Sequence, residues 1–168
     1  MTAQQRDLAG LKALVTGATS GLGRAIALQL ARDGADVTVH GRDATRGAQT
    51  VDEIHTQGGH ARYVGTDLGD AASIAGFAKQ VGDVDILVNN AGFAVWGSTE
   101  TFEIASFDAM FAANVRAPFL LVAAFAPGMV ARKTGTIINI SSMAGRLGLT
   151  GGAPYGATKA ALASFTQA

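Results

Sequence analysis

Short β-branched runs alternate along this chain with longer stretches whose apolar residues recur every three or four positions. That alternation predicts βαβ units building a parallel sheet. Leu11 to Thr16 reads as a first strand. Leu22, Ile26 and Leu30, at intervals of four, lay an apolar stripe on a first helix, which Gly34 ends. Asp36 to His40 makes a second strand, followed by a polar helix to about Gln57. Ala61 to Val64 is a third strand with Ser73 to Val81 as its helix. Val84 to Val88 is a fourth, largely apolar as a strand covered on both faces should be. A long helical region runs from about Glu100 to Arg132, bent or divided near Pro118, where proline removes an internal hydrogen bond. Thr136 to Ile140 is a fifth strand, and a last helix opens near Tyr155. The expected class is α/β, a doubly wound parallel sheet in three layers, and no repeat or low-complexity linker divides residues 1–168 into more than a single domain.

Composition narrows the function classes. With 48% hydrophobic and 15% charged residues in a chain of 168, a sizeable core is expected. Thirteen basic residues balance thirteen acidic ones, so no general field draws the chain to nucleic acid or to an anionic membrane. Any phosphate must be gripped locally. The absence of cysteine removes disulfides and thiolate chemistry. Met1 to Gly10 is polar and lacks the apolar core of a secretory signal. The longest greasy stretch, Phe119 to Ala131, is interrupted by Pro127 and Gly128 and is too short to cross a bilayer. The expectation is a cytoplasmic protein without nucleic-acid or membrane partners.

The first strand runs straight into Thr16-Gly17-Ala18-Thr19-Ser20-Gly21-Leu22-Gly23. A phosphate can approach the backbone only where side chains are absent. Gly17 permits a tight turn, Gly21 lets the chain close on a pyrophosphate, and Gly23 lets the new helix pack closely, while the helix N-terminus offers unpaired amides and a positive dipole end. The competing reading is an ordinary turn in a chain with 22 glycines. Placement between a strand and an amphipathic helix favours dinucleotide binding. No Gly-Lys-Ser/Thr follows, which excludes a kinase-type phosphate loop.

This glycine spacing resembles the Thr-Gly-x-x-x-Gly-x-Gly of the short-chain dehydrogenases/reductases. Four further stretches agree in order: Asp67-Leu68 after the third strand, Asn89-Asn90-Ala91-Gly92 after the fourth, Asn114 within the long helix, and Ser142 through Tyr155 to Lys159 after the fifth. The resemblance implies a Rossmann-like NAD(P)-binding domain in which Thr16, Gly17, Thr19, Ser20, Gly21, Leu22, Gly23, Asp67, Leu68, Asn90, Ala91, Gly92, Tyr155 and Lys159 surround the cofactor. It also implies a homo-oligomer, with the long helix and the last helix packing against their copies. Members of the family normally continue through two more strands and a substrate-covering segment, so the domain is expected to be incomplete, with about five strands present and the C-terminal strands missing.

The residues themselves suggest the chemistry. Tyr155 and Lys159 are four apart and share one helix face. A free tyrosine titrates near ~10, but an adjacent ammonium and a cationic nicotinamide would stabilise the phenolate, making Tyr155 the candidate acid/base. Ser142, at the exit of the fifth strand where ligands of open sheets collect, could hold the substrate oxygen. Lys159 could also donate to the nicotinamide ribose. Asn114, by resemblance alone, extends a proton relay from that lysine through a water. Set beside these are plainer possibilities: Tyr155 as a half-buried aromatic, Lys159 as a solvated charge, Ser142 as a cap. Asn90 admits a structural role, tying strand ends, beside its cofactor role. His40, His55 and His60 lack metal-ligand spacing and are expected on the surface or at element ends, and no metal is expected. Met110, Phe111, Phe119 and Phe125 look like core or interface packing.

Cofactor choice is read where the second strand ends in His40-Gly41-Arg42. NAD-selecting enzymes place a carboxylate there for the ribose 2′-hydroxyl. Gly41 stands in that position and Arg42 offers a guanidinium suited to a 2′-phosphate, so NADP(H) is favoured over NAD(H). Asp43 could weaken this by pairing with Arg42 or by repelling the phosphate, and Arg42 could be only a solvated helix-start residue. Two function classes stay open. One is an NADP(H)-dependent oxidoreductase interconverting a secondary alcohol and a ketone, with a small carbonyl or alcohol substrate such as a 3-oxoacyl thioester. The other is a noncatalytic dinucleotide-binding or assembly module.

Overall fold

The computed structural model describes residues 7–168, so residues 1–6 of the polar start lie outside the described residues. The elements are β1 (Lys12–Val15), α1 (Gly21–Arg32), β2 (Asp36–Gly41), α2 (Ala44–Thr56), β3 (His60–Gly65), α3 (Ala71–Val81), β4 (Ile86–Asn89), α4 (Ile104–Phe111), α5 (Ala117–Arg132), β5 (Thr136–Asn139) and α6 (Ala153–Gln167). All five expected strands and their helices are present, with ends moved by a residue or two except at the long helical region, which begins at Ile104 and not near Glu100.

The strands are parallel in the order β3-β2-β1-β4-β5. The chain steps outward from β1 to β3, then returns to the centre and pairs β4 with the other side of β1. That reversal leaves a crevice at the carboxyl ends of β1 and β4, the place where open α/β sheets bind ligands. Alternation along β1 divides the core. Ala13 and Val15 join Val37, Val39, Ala27, Leu28 and Ile54 on the side of α1 and α2. Leu14 joins Leu87, Phe77, Leu121, Phe125 and Met129 on the side of α3 and α5. The sheet is therefore covered on both faces, giving three layers.

Two expectations are corrected by packing. The stripe predicted on α1 is rotated: its buried residues are Gly23, Ala27, Leu28 and Ala31, whereas Leu22 is 58% exposed. Small side chains let the helix lie close to the sheet, and Leu22 is left at the mouth of the crevice. In the long helical region the division expected near Pro118 takes the form of a π-helical turn at Ala112–Arg116, immediately before the proline, whose missing N–H cannot bond the preceding turn. Glu100 lies in a separate 3-10 turn, Thr99–Thr101.

The apolar stretch read as interrupted at Pro127 and Gly128, and as too short to cross a bilayer, belongs to a longer helix, because α5 continues through both. Pro127 sits on an exposed side, where a carbonyl that lacks its partner can turn to water. Ile104–Arg132 is consequently a 29-residue helical run, long and apolar enough to cross a membrane by length and composition, with mean hydropathy 1.6 over its most apolar stretch. One stripe of it, Met110, Asn114, Ala117, Leu121, Phe125 and Met129, is buried within the fold.

Docking by that stripe predicts unequal costs on the two sides of α5. Leu121, fully buried, should cost about 2–5 kcal/mol on replacement by Ala, and Val130, 75% exposed, no more than about 0.5 kcal/mol. Urea unfolding of Leu121→Ala and Val130→Ala measures both, and equal losses would contradict the docked orientation.

Candidate active site

The crevice is built from backbone groups that β1 and β4 leave unpaired. Thr16, 1% exposed, donates its hydroxyl to the Val88 carbonyl (3.2 Å) and accepts from the amides of Asn90 (2.9 Å) and Ala91 (3.0 Å). The Asn90 side-chain amide donates back to the carbonyls of Thr16 (2.9 Å) and Gly17 (3.3 Å). Asn90 thus performs the structural role foreseen for it. Gly17 turns at φ 66°, and a Cβ there would stand 2.9 Å from the Ala91 backbone. A Cβ on Gly23 would collide with the Asn90 amide and the Gly17 carbonyl. Gly21, at φ 54°, faces open space beside an exposed Ser20 that makes no side-chain cap. Among the described residues no side chain caps the amides opening α1, and bare backbone is presented where an anion would sit.

At the end of β2, Gly41 lies directly under Thr19, and a Cβ on it would collide with that side chain. Arg42 is exposed and, among the described residues, pairs with no carboxylate. Asp43 does not pair with Arg42 as was considered. It caps α2 instead, accepting from the Arg46 amide (3.0 Å) and Arg46 Nε (2.8 Å), and the amide holds its carboxyl below the usual range. Asp67 is exposed and accepts from the Gly69 amide at 2.9 Å, while Leu68 is a core residue.

His40 departs from expectation: it is 3% exposed. Its Nδ1 accepts from the Gly17 amide (3.3 Å), its Nε2 lies 3.2 Å from the Thr66 carbonyl, and its ring meets Phe77 edge-on at 5.0 Å. Burial lowers its pKa from 6.5 to about 4, against a smaller opposite pull from the Thr66 hydrogen bond and from Asp67. His55 and His60 are exposed, as expected.

On the other side of the crevice, Tyr155 and Lys159 stand on the first turns of α6. Lys159 is 5% exposed. Its Nζ donates to the Ile140 carbonyl (2.8 Å) and lies 5.9 Å from the Tyr155 ring centroid. Desolvation pushes its pKa below the usual lysine range. A solvated surface lysine is thereby ruled out. Ser142 accepts from the Ala144 amide at 3.2 Å as the cap of a 3-10 turn, Met143–Gly145. Its hydroxyl proton remains available to donate.

Asn114 lies in the π-helical turn, 1% exposed. Its Oδ1 accepts from the Phe93 amide (3.0 Å), and its Nδ2 donates to the Phe93 carbonyl (2.8 Å) and to Thr158 Oγ1 (3.1 Å). The segment after β4 is so joined to α6. A Cβ on Gly92 would come within 2.8 Å of Asn114 Oδ1 and 3.7 Å of Lys159 Nζ, which shows how closely these three meet. Both polar ends of the Asn114 amide are occupied by protein.

Four contributors escaped the sequence reading: His40, Thr158, the Ile140 carbonyl and Trp96. Trp96 lies 6.2 Å from the Tyr155 ring, centroid to centroid, and presses on Gly152. Only His40 left a signal, since Val37, Val39 and His40 form one run in a strand covered on both faces.

Residues 11–168 match the family model described as short chain dehydrogenase. The chain is 38% identical over 160 residues to a (2S)-[(R)-hydroxy(phenyl)methyl]succinyl-CoA dehydrogenase subunit of Thauera aromatica, covering 93% of this chain and 64% of that protein. It superposes on a solved short chain dehydrogenase/reductase family protein with TM-score 0.91 and 52% identity, covering 95% of this chain and 67% of the other. A metagenomic short-chain oxidoreductase in complex with NADP gives TM-score 0.92 and 43% identity, with coverages of 96% and 75%. The chain thus spans a little under two thirds of the curated relative's length.

Because folding lowers the His40 pKa from 6.5 to about 4, the unfolded chain binds a proton that the folded chain refuses between those values. Stability is free of this loss above pH 6.5 and declines as pH falls towards 4. By roughly pH 4.5 the decline should be on the order of 2–3 kcal/mol greater than in His40→Asn, whose amide does not titrate. Urea unfolding of both proteins across this range checks it, and parallel curves would exclude a buried neutral imidazole.

Proposed function

This chain belongs to the short chain dehydrogenase family, and on that premise we propose that it carries the nucleotide site and acid/base of an NADP(H)-dependent oxidoreductase interconverting a secondary alcohol and a ketone. The observation that carries this reading is the buried Lys159 ammonium beside the Tyr155 ring, one helical turn along α6. An isolated buried ammonium is costly. Here one donor reaches the Ile140 carbonyl, which leaves two for other partners, a number suited to a sugar hydroxyl.

The residues present fit a dinucleotide. The open backbone at Gly21 and the start of α1 suit the pyrophosphate, Asn90 to Gly92 flank the crevice, and the unpaired Arg42 suits a 2′-phosphate. When bound, the nicotinamide supplies or accepts the hydride. In the reducing direction Tyr155 gives its proton to the carbonyl oxygen, which the Ser142 hydroxyl also holds. The Lys159 charge favours the phenolate left behind. Asn114 positions α6 against the segment after β4. Trp96 offers an apolar wall to a substrate beside Tyr155. NADP(H) is preferred over NAD(H) because no carboxylate stands at Gly41, where Thr19 fills the space, and the NADP complex of the metagenomic relative agrees. Phe119 and Phe165, both exposed with rings 5.6 Å apart, give α5 and α6 an outward apolar face that suits a second copy of the chain.

Replacing Arg42 by Ala should weaken NADPH binding by about 1.5–3 kcal/mol and NADH binding far less. Calorimetric titration of both nucleotides distinguishes the cases, and equal loss would remove Arg42 from 2′-phosphate recognition. Tyr155→Phe keeps the ring and removes the hydroxyl. In NADPH-dependent ketone reduction it should lower turnover at least ~10²-fold with nucleotide affinity little changed. Unchanged turnover would withdraw Tyr155 from the mechanism.

A further inference from the structure

His40 is a buried titratable group that the proposed reaction does not use. It lies on the opposite side of the crevice from Tyr155, and both its main-chain carbonyl and its Nδ1 serve the backbone of the glycine turn. Its main-chain carbonyl accepts from the Ala18 amide at 2.7 Å, and its Nδ1 accepts from the Gly17 amide at 3.3 Å. On the far side of the ring, Nε2 lies 3.2 Å from the Thr66 carbonyl. A carbonyl can only accept, so Nε2 carries the proton and Nδ1 is the bare nitrogen. The contact with Gly17 requires the same tautomer. Gly17 is in consequence held on both sides, its amide by His40 and its carbonyl by Asn90.

We propose that His40 is the positioning residue of the nucleotide turn: its neutral imidazole, protonated on Nε2, hangs the Gly17 amide from β2 and braces it against the end of β3, setting the shape in which the turn receives a dinucleotide. The proposal rests on the nucleotide-binding reading above and adds a residue to it. A ring that merely filled space would need no acceptor towards Gly17. Leaving that amide without a partner would expose the turn to rearrangement, because Gly17 already occupies the left-handed region at φ 66° and has no side chain to hold it there.

Protonation of Nδ1 would turn the acceptor into a donor facing another donor. The groups around the ring are Phe77 from α3, the Thr66 carbonyl and the Asp67 carboxylate beyond β3, and the uncharged Gly17 amide. Asp67 is the one whose charge favours the imidazolium, and burial outweighs it. The turn is thereby kept neutral and locked around neutral pH and is released in acid.

Nitrogen-15 spectra of the imidazole in the nucleotide-free chain test the tautomer directly. Expected are a protonated Nε2, a bare Nδ1, and a Gly17 amide resonance that moves with the His40 titration. A protonated Nδ1 at neutral pH, or a Gly17 amide indifferent to that titration, overturns the proposal. Binding supplies the second arm. His40→Phe preserves ring shape but lacks the acceptor and should weaken NADPH binding about tenfold at neutral pH, whereas His40→Asn, whose Oδ1 can take the place of Nδ1, should recover it to within about threefold. A Phe variant that binds as the native chain does, or an Asn variant as weak as Phe, also overturns it. Failure of the native chain to bind NADPH or NADH would instead defeat the nucleotide-binding reading, while the imidazole spectra still decide how the turn is held.

Discussion

The lock between Thr16 and Asn90 is the contact on which the site depends. At the reversal of strand order, β1 and β4 end side by side with carbonyls and amides that no further strand can pair, in a place too enclosed to leave them bare. One hydroxyl and one side-chain amide resolve this, through four bonds of 2.9 to 3.3 Å and the Thr16 bond to Val88. Without the Thr16 hydroxyl the Ala91 amide would lose its partner, and without the Asn90 side-chain amide the Thr16 and Gly17 carbonyls would lose theirs. The glycine turn inherits its position from that lock, and Gly23 is required because a Cβ there would strike the same amide and carbonyl.

A second set of bonds governs the opposite wall. The π-helical turn rotates Asn114 inward, where it grips the Phe93 backbone and Thr158. Through Thr158 the start of α6 is held against the segment after β4, and Lys159 is carried into a desolvated position. The Ile140 carbonyl and the nearby Tyr155 ring moderate the cost of burying that ammonium. The two walls are thus fixed by different means. Backbone accounting sets the glycine side, and a buried amide within an irregular helix sets the tyrosine side. His40 connects the first wall to β2 and β3, so three strands contribute to the turn.

Periodicity and glycine placement decided much of this protein before any contact was known. The two-residue repeat of strands and the 3.6-residue repeat of helices are local properties, so element order and type followed from the chain alone. The need for glycine at a left-handed φ is local too, which made the Gly17 turn legible. The four-residue spacing of Tyr155 and Lys159 put them on one face of α6 for the same reason. What only tertiary structure decided was environment. Whether Leu22 or Ala27 faces the sheet, whether His40 is wet or enclosed, whether Asp43 turns to Arg42 or Arg46, and whether Lys159 is a surface charge or a buried one all depend on neighbours supplied by distant segments. Gly17 and Thr66 flank His40 from 23 and 26 residues away in the chain. Burial and hydrogen-bond partnership are properties of the packed assembly, and a linear pattern carries them only where it coincides with the regular repeat of a strand or a helix.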